Sequence, residues 1–110
     1  MDRLKDNEGF LKALSTSHGK QAKALIKTAK SKQLDAVCEI ILNVIREVII
    51  IPKKLFKKAK KFKKIIRRLA RKTLPRKLRR KLMAKYIPII KSILASALPI
   101  ISVVLSAISV

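Results

Sequence analysis

The chain has 110 residues, with 28 lysines and arginines against six acids, a net charge of +22 and 49% apolar residues. That length holds one domain at most, so much like charge opposes a compact state, and so much apolar content excludes a simple disordered tail. One histidine, one cysteine and two glycines leave nothing from which to build a metal site, a glycine-rich phosphate loop or an intramolecular disulfide, so no catalytic residue, metal or cofactor is expected.

The charge is unevenly placed. Residues 1–51 carry all six acids and nine basic groups, Lys53 to Lys91 carry the other nineteen basic groups, and the last nineteen residues carry no charge. Residues 3–15 give a weak helical pattern around Leu4, Phe10, Leu11 and Leu14, closed by Ser15-Thr16-Ser17-His18-Gly19, in which His18 reads as a turn residue. A second helix is predicted over Lys20–Ala29, with Lys20, Lys23, Lys27 and Lys30 in one stripe opposite Ala22, Leu25, Ile26 and Ala29. Ser31 is placed as the N-cap of a third helix, whose apolar face holds Leu34, Val37, Cys38, Ile41, Ile45 and Val48. Cys38 is assigned to packing, and Asp35, Glu39, Asn43 and Arg46 to the polar face. The run Val48-Ile49-Ile50-Ile51 before Pro52 also suits a short extended segment, because the residue before proline is pushed out of the helical region. Pro52 is taken as a boundary.

From Lys53 to Lys72 one helix is predicted, with a narrow apolar seam of Leu55, Ala59, Phe62, Ile66 and Leu69. Twelve of its twenty residues are Lys or Arg, and eight pairs of them lie four apart, so the isolated helix loses about 2–4 kcal/mol to repulsion. Thr73-Leu74-Pro75 reads as a break, and a short basic helix through Leu78, Leu82 and Met83 runs to about Tyr86. The tail from Ile87 is apolar, interrupted by Pro88 and Pro99. Its serines and Pro99 share one face, and its nineteen uncharged residues are just enough to span a bilayer.

The expected fold is all-α: short amphipathic helices, elongated and partly disordered without a partner, with an apolar C-terminal helix. Three parts are expected: a helical module at 1–51, a cationic helical segment at 52–86 and the tail at 87–110. The apolar segments flank the basic block and, with it between them, are not expected to share a single core.

A solvated surface normally mixes both signs of charge, whereas the basic block holds no acid, which points to a polyanion as partner. The expected nucleic-acid contacts are Lys53, Lys54, Lys57, Lys58, Lys60, Lys61, Lys63, Lys64, Arg67, Arg68, Arg71 and Lys72, followed by Arg76, Lys77, Arg79, Arg80 and Lys81. With four aromatic residues and no zinc-finger spacing, base reading is not expected; the contacts are to the phosphate backbone, without sequence preference. Lys57-Lys58-Ala59-Lys60-Lys61 and Arg76 to Lys81 also suit nuclear localisation. In the tail, Ile93, Leu94, Leu98, Ile100, Ile101, Val103, Val104 and Leu105 are expected to meet a membrane or a partner.

The segments Gln21–Ala29 and Leu34–Ile45, then Pro52 and a basic tract containing Leu69-Ala70-Arg71-Lys72, resemble a small basic protein of adintoviruses and related Polinton-type elements of animals, over about residues 20–85. That family is viewed as similar to adenovirus core proteins of the mu type. The resemblance implies a virion-internal protein that condenses double-stranded DNA, with assembly in the host nucleus; on this reading capsid proteins are expected as further partners. Two features depart from it. No glycine precedes Pro52 within Arg46-Glu47-Val48-Ile49-Ile50-Ile51, and no glycine-rich stretch precedes the tail, so a Gly-Gly site for an adenain-like protease is missing. A second reading, from the residues alone, is a membrane-active or membrane-anchored cationic protein, in which basic residues meet anionic lipid and the tail inserts. Self-association through the N-terminal helices is expected in either case.

Overall fold

The computed structural model describes residues 2–69, 71 and 74–108, with side chains described from Leu4 to Val103 within those ranges. Among the described residues there are eight helices and no strand: α1 (Asp2–Asp6), α2 (Glu8–Thr16), α3 (Gly19–Lys27), α4 (Ser31–Ile45), α5 (Lys53–Lys61), α6 (Lys63–Leu69), α7 (Arg76–Lys85) and α8 (Ile87–Ile108). The all-α expectation holds; the elongated, partly disordered one does not. The radius of gyration is 13.0 Å, with extents of 38 × 29 × 28 Å, the size of a folded domain of about 100 residues rather than the ~30 Å of an unfolded chain.

The reason is α8, which forms the axis of the molecule instead of a free tail. It packs on α2, α3, α4, α5 and α7. Ile87, Ile90, Ile93, Leu94, Ala97, Leu98 and Ile101 are buried along it, and one continuous core runs from Leu4 of α1 through α8. Each fully buried Ile or Leu stabilises by roughly 1.5–3 kcal/mol, enough for a handful of them to offset the repulsion among surface cations. The basic segment joins this core through its narrow seam. Ala59, Ile66 and Leu69 are buried, Leu55 and Phe62 are half-buried, and α5 and α6 rest on α4. Most of the charge stays outside while the seam adds to the core.

The segment differs from a single helix by a break at Phe62, whose backbone (φ −102°, ψ 13°) closes α5 with a tight bond from its N–H to the Ala59 carbonyl at 3.0 Å. The Phe62 ring packs on Tyr86 with centroids 5.3 Å apart. With α5 ending at Lys61 and α6 at Leu69, five of the eight like-charged pairs lie wholly inside one helix, a repulsion of about 1–2.5 kcal/mol. Two prolines set the starts of the basic helices. Pro52 and Pro75 stand at the N-caps of α5 and α7, where a missing N–H costs nothing.

Lys30, not Ser31, is the N-cap of α4; its backbone N–H donates to Gln33 Oε1 at 2.8 Å. The helix ends at Ile45, before Val48. The N–H of Val48 bonds to the Asn43 carbonyl and that of Glu47 to the Val44 carbonyl, at 2.9 and 3.1 Å, with Glu47 in the left-handed region at φ 61°. This is a Schellman ending, and the chain beyond it is non-helical up to Pro52. The apolar face of α4 is covered within the chain by α6 and α8. The N-terminal pattern divides at Asn7 into α1 and α2. Pro99 does not interrupt α8, which continues through it.

Candidate polyanion-binding surface

The apolar seam of α5 and α6, widened by the half-buried Phe56 and Ile65, leaves most of the cations of the segment facing water. Of the seventeen expected contacts, Lys53, Lys54, Lys57, Lys58, Lys60, Lys61, Lys64, Arg67, Arg68 and Arg71 are exposed, as are Arg76, Lys77 and Lys81 of α7. Lys63 and Arg80 are half-buried, and Lys72 lies outside the described residues. Lys60 Nζ lies 5.3 Å from the centre of the Phe56 ring and Lys85 Nζ 5.7 Å from that of Tyr86, which fixes these stems against half-buried aromatics.

Arg79 is different. Its side chain is 6% exposed, its Nη1 donates to Asp35 Oδ1 at 2.6 Å, and its Nη2 donates to the Arg71 carbonyl at 3.0 Å. It ties α7 to α4 and to the end of the α6 segment, so it positions the surface and does not belong to it. Arg80 plays a similar part towards α3. Its Nε donates to the Ala29 carbonyl at 3.0 Å, and its Nη2 reaches the same oxygen. Cys38 lies beside the Arg79–Asp35 pair, buried, with Sγ 3.5 Å from the Leu69 carbonyl. Burial pushes its thiol up to about 12, with Arg79 opposing the rise and Asp35 adding to it.

Four of the eight expected tail contacts point inward. Ile93, Leu94, Leu98 and Ile101 are core, while Ile100 and Val103 are exposed; the side chains of Val104 and Leu105 lie outside the described residues. Among the described residues no single helix is long and apolar enough to cross a membrane; α7 and α8 pass together by length and composition, but they meet at 85°. Val48, expected on the apolar face of the third helix, is instead 71% exposed in the loop between α4 and α5, beside Ile50 at 78%, which the sequence did not single out. Their place in the β-branched run before Pro52 was the available signal.

Comparison with family models, with curated proteins and with solved structures finds no match for this chain.

Proposed function

We propose that the protein is a virion core protein that binds and condenses duplex DNA without sequence preference. The observation that carries the DNA-binding half is the outer surface of α5, α6 and α7, where thirteen of the expected contacts are exposed in a segment free of carboxylates. The viral setting and the nuclear assembly rest on the resemblance of residues 20–85 alone. The charge balance suits condensation: along the 38 Å of its long axis the molecule lies beside roughly 22 duplex phosphates, and it carries a net +22. One molecule thus matches the charge of the duplex that it covers. The test is the salt dependence of binding to mixed-sequence duplexes. If about eight phosphates are neutralised, log K against log salt slopes near −7; a slope shallower than about −2, or a strong preference for one sequence, overturns the reading.

A second reading, action on anionic membranes, is favoured by the exposed Val48 and Ile50, which are followed by the Lys53–Lys54 pair and preceded by Arg46 and Glu47. Such a tip suits shallow insertion under a ring of headgroup contacts. Leakage from anionic liposomes above that of polylysine, lost in Val48→Asp/Ile50→Asp, supports this reading, and leakage no greater than polylysine removes it.

A further inference from the structure

The lysines of the N-terminal helices meet α7 in a place that no charge count along the sequence identifies. Lys27, at the end of α3, and Arg76, Lys77, Arg80 and Lys81 of α7 line a cavity of about 670 Å3. A second cavity of about 690 Å3 is lined by Lys30 and Lys32 together with Ser31 and Gln33 at the start of α4, and it shares Arg76 with the first. Arg76 lines both, so the two lie side by side, with that guanidinium facing each of them; we treat them together as one groove. Seven cations line it, and among the described residues no carboxylate does.

Cations packed this closely repel one another, and free helices would part to separate them. Here they are held together. Arg80 clamps α7 to the end of α3 through the Ala29 carbonyl, and Arg79 clamps α7 to α4 through Asp35. The Arg80 clamp uses one edge of the guanidinium, which leaves the Nη1 hydrogens for an anion. The amino end of α4 opens on the same groove at Ser31 and Lys32, and its dipole adds to the positive potential. A positive groove held open at the expense of mutual repulsion is arranged for an anion.

We infer that this groove seats a stretch of phosphodiester backbone, one strand of the duplex running past Arg76 from one cavity into the other. The inference rests on the DNA-binding reading above and names a path for that ligand outside the α5–α6 surface. An extended chain of repeated phosphates occupies both cavities at once, whereas a single headgroup or free phosphate occupies one, which is why a strand is the better fit.

The test uses the full-length protein and a mixed-sequence 20-base-pair duplex. In the unmodified protein, acylation of lysines read by mass spectrometry shows Lys27, Lys30, Lys32, Lys77 and Lys81 protected by the duplex. In Lys27→Gln/Lys30→Gln/Lys32→Gln, the log–log salt slope becomes shallower by about 2.7. A charge-matched variant outside the groove, Lys12→Gln/Lys20→Gln/Lys23→Gln, changes it by less. Duplex binding with those five lysines unprotected, or an equal change in both variants, overturns the groove and leaves the DNA-binding reading standing. Absence of salt-dependent duplex binding in the unmodified protein overturns both.

Discussion

Asp35 and Arg79 sit at the point where the cationic segment is tied to the rest of the chain, and their unequal burial gives them unequal roles. The Arg79 side chain is 6% exposed and that of Asp35 29%. Removing the carboxylate strands a buried guanidinium, whereas removing the guanidinium leaves a carboxylate that water still reaches. Asp35→Asn is therefore expected to cost roughly 3 kcal/mol in urea unfolding, near the low end for breaking a buried pair, and Arg79→Met to cost less. The reverse order would show that the Arg79 contact with the Arg71 carbonyl is what holds the segment. Next to this pair, Cys38 supplies a pH signature. Its thiol is pushed up to about 12 from the ordinary 9.0 by burial, so the folded state keeps a proton that the unfolded state releases. The stability this contributes is fully present below pH 9 and is lost as pH rises from about 9 towards 12. Lysines lose their charge over part of the same range, so the measurement is the difference between the native chain and Cys38→Ala. The native chain should lose stability relative to the variant by up to about 1.4 kcal/mol per pH unit above 9. A constant difference across that range would place the thiol in contact with water.

At the scale of the element, the end of α4 carries a residue in a conformation that it tolerates poorly. Glu47 occupies the left-handed position of the Schellman ending, at φ 61°, where a side chain costs about 1 kcal/mol relative to glycine. Glu47→Gly is expected to raise the unfolding free energy by about 1 kcal/mol; a loss would mean that the carboxylate, one of six acids in a chain of 28 cations, matters more than the strain. The same element shows where sequence reading stops. The apolar periodicity of Leu34, Val37, Cys38 and Ile41 marks the buried side of α4, and the β-branched run before Pro52 marks its non-helical exit. The helix boundary three residues before Val48 carries no such signal, because Glu47 stands where glycine would have announced the turn. The seam from Leu55 to Leu69 was legible for a similar reason, since a single apolar row among lysines has one reading. The break at Phe62 was not, since no glycine or proline marks it and the ring's partner, Tyr86, lies far along the chain. As for the candidate surface, the exposed cations of α5–α7 follow from the charge run. The clamps of Arg79 and Arg80 need a tertiary partner, and no local pattern separates them from their neighbours Lys77 and Lys81.

For the whole molecule the decisive placement is that of α8. A run of nineteen uncharged residues beside a polycation looks like a separate tail when each segment is judged alone, yet the apolar faces of α2, α3 and α4 and the seam of α5 need a common surface, and α8 is the element apolar enough to serve them all. Deleting residues 87–110 is therefore expected to abolish cooperative unfolding and most helicity in dilute buffer, rather than to leave a folded cationic remnant. A truncated chain that still melted cooperatively would show that the core closes without α8. The consequence for DNA binding is thermodynamic. Folded and unfolded chains carry the same charge, so a duplex that reads charge alone binds both and leaves the melting temperature where it was. A duplex that uses cations fixed by the fold binds the folded chain more tightly and raises it. At a hundredfold excess of ligand over Kd the stabilisation is about 2.7 kcal/mol if the unfolded chain does not bind, and smaller in proportion to how well it does. The expected result is a rise in melting temperature with duplex that exceeds the rise from the same phosphate concentration of single-stranded homopolymer, since a flexible strand can follow an unfolded polycation more easily than a stiff duplex can. Equal shifts would mean that the surface acts as charge alone, and a fall on adding duplex would mean that the DNA-bound chain is the opened one, with α8 released from its sheath.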